Sequence, residues 1–95
     1  MDGKNRVYDC QQQLVRALRI GGPSTVARMV SEVIRQLNTA IEDLGGDYRQ
    51  EVLASREQLV QALESGDSLG LAREVSEVIR ELDAALEAMH FKRAE

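Results

Sequence analysis

The stretch SEVIRQL at residues 31–37 recurs with one substitution as SEVIREL at residues 76–82, which is 45 positions later. Shifting the chain by 45 residues places 1–45 over 46–90 without a gap, and 19 of the 45 aligned positions are identical. Self-similarity at a fixed spacing is typical of a repeated structural unit. The sequence therefore predicts a tandem duplication, with 1–45 as unit one and 46–90 as unit two.

Length and composition indicate a single globular domain covering residues 1–95, in which 91–95 form a short tail. Hydrophobic residues make up 43% of the chain and charged residues 29%, which is the balance of a folded protein rather than a disordered one. Only 3% of the residues are aromatic and none is tryptophan. The core must therefore be built from Leu, Val, Ile and Ala.

Three features of the sequence favour a cytoplasmic protein. The N-terminal stretch MDGKNRVYDC lacks the apolar segment of a signal peptide, and no apolar run approaches the length that spans a membrane. The single cysteine, Cys10, cannot form an intramolecular disulfide, as is usual in a reducing compartment. We expect a cytoplasmic protein that does not associate with membranes.

Apolar residues recur in each unit at spacings of three and four, which predicts the core-facing stripe of an amphipathic helix. In the second helix of the two units, the stripe comprises Val26, Val30, Val33, Leu37, Ala40 and Leu44, and then Leu71, Val75, Val78, Leu82, Ala85 and Met89. In the shorter first helices it comprises Val7, Cys10, Leu14, Ala17 and Leu18, and then Val52, Ser55, Leu59, Ala62 and Leu63. The pattern predicts four helices, near 5–20, 23–44, 48–65 and 68–90.

Residues at the predicted helix ends agree with this division. Pro23 suits a first helical position, with Gly22 as the N-cap, and Asp67 is expected to cap the fourth helix. The glycines at 45–46 are expected to end the second helix in a left-handed turn. Asp47 would then cap the third helix.

Loops of only two or three residues predict an all-α, up-down-up-down four-helix bundle. The repeat adds that its two helical hairpins should be related by a pseudo-two-fold axis. An ancestral single hairpin would have buried its apolar stripe by dimerising, and duplication would have made that contact intramolecular. An open pair of hairpins that dimerises with a second chain is also compatible with the spacing.

No pattern in the sequence indicates catalysis, a cofactor or a metal. His90, the only histidine, falls at a predicted helix end, where an imidazolium interacts well with the helix dipole, whereas a phosphotransfer histidine would be expected in mid-helix. Cys10 lies on the apolar stripe and aligns with Ser55, which favours packing over a reactive thiol. The carboxylates are scattered over exposed helical positions. We expect a protein that is not an enzyme and holds no cofactor.

The two units differ mainly in charge. The formal net charge of the chain is −4, of which unit one contributes +1, unit two −6 and the tail +1. This balance disfavours a nucleic-acid partner, because phosphate binding requires clustered Lys and Arg. The acidic residues of unit two are interpreted either as a solvated face or as a docking surface for a basic partner. They are Glu51, Glu57, Glu64, Glu74, Glu77, Glu81 and Glu87.

The sequence favours a small protein-interaction module that binds another protein, of unidentified kind, through its helical faces, with a homodimer as a further option. Duplicated helical hairpins occur among adaptors, chaperones, antitoxins, immunity proteins and anti-regulators, an analogy that concerns the fold alone. The candidate partner-binding residues are predicted to be exposed and identical in both units. They are Arg28, Ser31, Glu32 and Arg35, and then Arg73, Ser76, Glu77 and Arg80. Intrahelical Arg–Glu pairing is the simpler interpretation of this set.

A DNA-binding regulator is the alternative function. Residues 14–37 can be read as a helix, a turn containing glycine and a recognition helix. Arg16, Arg19 and Arg28 would support it, but unit two has Gln61 and Glu64 in place of the first two. Only one copy could therefore contact a DNA groove.

Overall fold

The computed structural model describes residues 3–90, and 90% of these are helical. The four helices are α1 (Gly3–Ile20), α2 (Pro23–Glu42), α3 (Gly46–Ser65) and α4 (Ser68–Ala88). Residues 3–90 contain no strand, so the prediction of an all-α, four-helix protein is confirmed, and each helix boundary lies within two residues of its predicted place. The tail at 91–95 and the aligned residue Asp2 lie outside the described residues.

The starts of α2 and α4 were predicted correctly. Gly22 has an extended backbone and is followed by Pro23 in the first turn of α2. Asp67 is the N-cap of α4, and its carboxylate accepts a hydrogen bond from the backbone N–H of Leu69 over 3.2 Å. A helix start leaves its first backbone N–H groups without an intrahelical partner. The Asp67 carboxylate accepts from one of them in α4, and Pro23 in α2 has no N–H that would need a partner.

The predicted cap of α3 is wrong. The N-cap is Gly45, which has an extended backbone and no side chain to accept a hydrogen bond. Asp47 lies inside the first turn instead, where a carboxylate is still favourable because it faces the positive end of the helix dipole.

The end of α2 also differs from the prediction. The helix stops at Glu42, because the N–H groups of Asp43 and Leu44 bond three residues back, to Ala40 and Ile41. Bonds of this kind tighten and close a last turn. Of the two glycines at 45–46, only Gly46 has a positive φ, +60°, so this pair redirects the chain after the helix has ended.

Contacts between helix ends show that neighbouring helices run antiparallel. The Arg6 guanidinium lies 3.9 Å from the Asp43 carboxylate, which brings the start of α1 beside the end of α2. Lys4 donates to the carbonyl of Met89 over 3.2 Å, and the Tyr48 hydroxyl donates to the carbonyl of Ala88 over 2.9 Å. The starts of α1 and α3 therefore both lie beside the end of α4.

The four helices pack in a ring. α1 contacts α2 and α4, and α3 contacts the same two helices, as expected for the hairpins α1–α2 and α3–α4. α2 and α4 also touch each other across the centre, whereas α1 and α3 do not among the described residues. α2 and α4 therefore occupy opposite corners of the bundle.

The predicted stripes form the core, since every residue assigned to them is buried or packs against the buried cluster. The largest fully buried side chains are two aligned pairs of leucines, Leu14 with Leu59 and Leu37 with Leu82. Burial of one such side chain contributes about 1.5–3 kcal/mol. A core without aromatic rings is thus assembled from aliphatic side chains that repeat every 45 residues.

One buried polar residue was not predicted. Gln11 belongs to α1, is 3% exposed, and its side chain faces α4. Its amide donates to the carbonyl of Ile79 over 3.1 Å and to the carboxylate of Asp83 over 3.3 Å. These bonds tie the two hairpins together at a contact that the chain does not connect directly.

Gly3 allows a close approach at the start of α1. A Cβ atom there would lie 3.0 Å from the Cβ of Asp43 and 3.1 Å from the carbonyl oxygen of Ala40, so a larger residue would push α1 away from α2. Unit two has Tyr48 at the aligned position. The two hairpins therefore close differently at this end.

Candidate interaction surfaces

A polar cluster joins α1 to α2 at the middle of the first hairpin. The amide of Gln13 donates to the side-chain oxygen of Gln36 over 2.8 Å, and the thiol of Cys10 lies 3.8 Å from the same oxygen. One acceptor on α2 therefore serves two donors on α1.

The second hairpin contains the corresponding cluster, 45 residues later. The Ser55 hydroxyl and the Gln58 amide donate to the two carboxylate oxygens of Glu81 over 2.9 and 3.0 Å. Equivalent positions thus make equivalent contacts although two of the three residue types have changed. Glu81 therefore stabilises the second hairpin, and its carboxylate is less available to a partner than the sequence indicates.

The repeated residues of the candidate partner-binding set lie on the outward sides of α2 and α4. Arg35 bonds to Glu32 over 3.3 Å, and Arg80 bonds to Glu77 over 2.9 Å, each pair three residues apart on one helix. The side chains of the two arginines are 77% and 76% exposed. Exposed pairs of this kind contribute only about 0.3–0.5 kcal/mol.

The set also contains two arginines and two serines that are exposed and lie outside these ion pairs. Arg28 and Arg73 are exposed, and neither forms an ion pair with a residue between 3 and 90. Ser31 and Ser76 are exposed beside them. We call these eight residues the repeated face, which exists as two copies, one on α2 and one on α4. Because α2 and α4 occupy opposite corners of the bundle, the two copies point in opposite directions.

The acidic residues of unit two do not form one patch. Glu57 pairs with Arg56 over 3.1 Å, and Glu77 belongs to the repeated face. Glu51, Glu64 and Glu87 are exposed and stand on different parts of α3 and α4. The negative charge is therefore spread over the outside of the second hairpin.

The two residues considered above for a chemical role are Cys10 and His90, and neither lies in a reactive setting. Cys10 is fully buried, and burial raises the pKa of its thiol from 9.0 to about 12, with the carboxylate of Asp9 adding to the increase and the Arg6 guanidinium opposing it. His90 is exposed in the turn that follows α4 and has a φ of +58°. Within residues 3–90, no group of three or more His, Cys, Asp or Glu side chains is placed to hold a metal ion.

The structure contains an apolar groove that the sequence did not predict. It lies where α2 and α4 begin and has a volume of about 320 Å³. Its lining residues are mostly apolar and comprise Gly21, Pro23, Val26, Ser68, Leu69, Leu71 and Ala72. Leu69 on its rim is 78% exposed, and nearby Ile20 is 57% exposed. The sequence held one signal for it, because Leu69 is an apolar residue in a first helical turn and aligns with Ser24.

Comparisons of the chain with protein-family models, with curated proteins and with solved structures found no match. No helix among the described residues is both long enough and apolar enough to cross a bilayer.

Proposed function

We propose that this protein is a non-enzymatic interaction module that binds another protein through the repeated face. The observation that carries the proposal is the agreement between its two copies. Arg35 and Arg80 have the same exposure and the same pairing, at 45-residue spacing, on helices whose neighbouring surface residues have diverged. Pairing energies of a few tenths of a kcal/mol are too small to account for that agreement.

The charged groups of the repeated face are suited to a protein interface. Arginine is enriched in interfaces because its guanidinium is planar, weakly hydrated and able to form several hydrogen bonds. Arg28 and Arg73 are exposed without an ion-pair partner among the described residues, so binding would not have to break a contact first. A partner that presents carboxylates or backbone carbonyls would match them.

We also propose that the bundle is a duplicated hairpin with pseudo-two-fold symmetry. The polar clusters around Gln36 and Glu81 and the paired core leucines support this arrangement, because they repeat at the same spacing. A two-fold axis along the bundle would relate the two copies of the repeated face. One chain would then bind two molecules of the same partner, on opposite sides.

The DNA-binding alternative is less well supported. A helix-turn-helix crosses its two helices at about 90–120°, whereas α1 and α2 lie antiparallel with contacts at Arg6–Asp43 and Gln13–Gln36. The net charge of −4 also opposes binding to phosphates. Retention on a heparin or DNA column at low salt would favour the alternative over protein binding. We also propose a cytoplasmic location, because the single cysteine is a buried free thiol, as is usual in a reducing compartment.

The proposal is tested by using the full chain to capture a partner from cells of its source, and then measuring affinity and stoichiometry with the purified partner. Arg35→Ala with Arg80→Ala should abolish capture without changing the melting temperature. Arg16→Ala with Arg49→Ala is the matched control, because it removes the same charge from exposed positions on α1 and α3.

The single variants test the two-site arrangement. Arg35→Ala alone or Arg80→Ala alone should lower the stoichiometry from two partners to one and leave the affinity of the remaining site unchanged. Intact capture by the double variant would overturn the repeated face as the contact surface, and the acidic residues spread over the outside of the second hairpin would then be the better candidates.

A further inference from the structure

Leu69 stands exposed at the edge of the apolar groove, on the side that α4 forms. The backbone of Leu69 is held at the start of α4, because its N–H bonds to the capping carboxylate of Asp67. An apolar cavity of about 150 Å³ holds a benzene-sized ligand, so a groove of about 320 Å³ admits a leucine side chain. An exposed apolar surface of this kind can be covered by a second copy of itself about a two-fold axis.

The charges around the groove have the same self-complementary character. Arg19 and Glu64 are exposed in the last turns of α1 and α3, at aligned positions 45 residues apart. Residues 19–22 contain one arginine and no acidic residue, whereas the aligned residues 64–67 contain two acidic residues and no basic residue. This end of the bundle therefore has a positive side and a negative side.

One orientation satisfies both features. When two copies meet end to end about a two-fold axis that lies along the α2–α4 diagonal, α1 of each copy faces α3 of the other. Arg19 then faces Glu64 of the second copy, and the same pair forms again on the opposite side. The axis places α4 of one copy over α4 of the other, so the two grooves face each other at the centre and the two Leu69 side chains, one from each copy, lie side by side where the grooves meet.

We propose that two copies of this chain associate end to end through this surface, with the two Leu69 side chains packed together between the facing grooves and Arg19 paired with Glu64 across the contact. The contact is independent of the repeated face and leaves both of its copies free. A dimer of this kind presents four copies of the repeated face, two from each chain.

The first test is sedimentation velocity on the full chain over a wide range of concentrations. The wild-type protein should shift from monomer to dimer as concentration rises, and Leu69→Ser should weaken the association by about tenfold or more, because it removes the central apolar anchor. Leu53→Ser is the matched control, since Leu53 is a partly exposed leucine on α3 away from the groove. It should leave dimerisation unchanged, and circular dichroism should report the same helix content for all three proteins.

Charge exchange tests the orientation. Arg19→Glu and Glu64→Arg should each weaken the dimer, because each places like charges together twice, and the double variant should restore it. A wild-type protein that remains monomeric at every concentration would overturn the proposal. Equal behaviour of Leu69→Ser and Leu53→Ser, or a double charge variant that stays weak, would also overturn it.

Discussion

The hydroxyl of Ser55 donates a hydrogen bond to the carboxylate of Glu81, 2.9 Å away, in a setting where Ser55 is only 2% exposed. The contact links α3 to α4 at the point where a thiol and an amide link α1 to α2. A hydroxyl in such a position requires an acceptor, whereas a thiol is a weak donor that loses little without one. The two hairpins should therefore respond differently when the acceptor is removed.

Glu81→Ala should lower the free energy of unfolding by about 1–3 kcal/mol, because the buried Ser55 hydroxyl loses its partner. Adding Ser55→Ala should recover part of the loss. Gln36→Ala is the matched control in the first hairpin: it also removes the partner of a glutamine amide, Gln13, but the buried donor that it leaves is the weak thiol of Cys10, so it should cost less. Urea unfolding of the four proteins measures these differences. Equal costs for Glu81→Ala and Gln36→Ala would mean that Ser55 finds another acceptor, such as a carbonyl one turn earlier in α3.

Leu37→Ala and Leu82→Ala should each destabilise the protein by about 2–5 kcal/mol, because both side chains are fully buried and their truncation leaves a cavity. Similar values for the two are expected from their aligned positions. Leu53→Ala, at a position that is 36% exposed, should cost well under half as much. Chemical denaturation checks all three. A near-neutral effect at both buried positions would contradict the assignment of the core.

A peptide of residues 46–90 should be unfolded or self-associated. The stripes of α3 and α4 are buried partly against α1 and α2, and a lone hairpin would expose that surface to water. Circular dichroism and sedimentation distinguish the outcomes. A monomer that unfolds cooperatively would contradict mutual burial of the two hairpins and favour self-sufficient units.

Stability should fall as pH rises from 9 towards 12. The Cys10 thiol has a pKa of about 12 in the folded protein and an ordinary value of 9.0 when exposed. Over that window the unfolded chain loses the thiol proton and the folded chain keeps it, so ionisation favours unfolding by at most about 1.4 kcal/mol per pH unit. Cys10→Ser, which copies Ser55 of the other unit, should flatten the decline. Identical pH profiles for the two proteins would refute the assignment.

The same burial controls thiol reactivity. In the native protein at pH 8, Cys10 should react with a thiol reagent only as fast as the bundle opens, because the thiolate is the reactive form and the side chain is covered. In urea the reaction should be fast. A fast native reaction would show that α1 leaves the bundle readily.

Much of this fold was predictable because the stripes obey a simple rule. Val33 and Val78 lie on apolar faces with regular spacing, and periodicity alone identifies such residues as core. Gln11 could not be identified in this way, because a glutamine next to a stripe is normally exposed. It is buried because α4 packs over it, a contact between residues 68 positions apart.

The candidate surfaces also differ in whether the sequence could predict them. The exposure of Arg35 and Arg80 could be predicted, since both fall on the side of a helix opposite its stripe. The groove beside Leu69 could not, because it exists only where the starts of α2 and α4 meet. Sequence reasoning finds surfaces that belong to one helix, whereas a surface shared by two helices requires their arrangement.

The alternating direction of the helices has a further consequence for the electric field of the molecule. Each helix carries about half an elementary charge of opposite sign at its two ends, and each end of this bundle combines two helix starts with two helix ends. The backbone dipoles therefore cancel along the long axis. The side chains do not cancel, because unit one has a formal charge of +1 and unit two −6. The molecular dipole thus lies across the bundle, and a charged partner at a distance would turn the protein to meet it with the side of one hairpin rather than with an end.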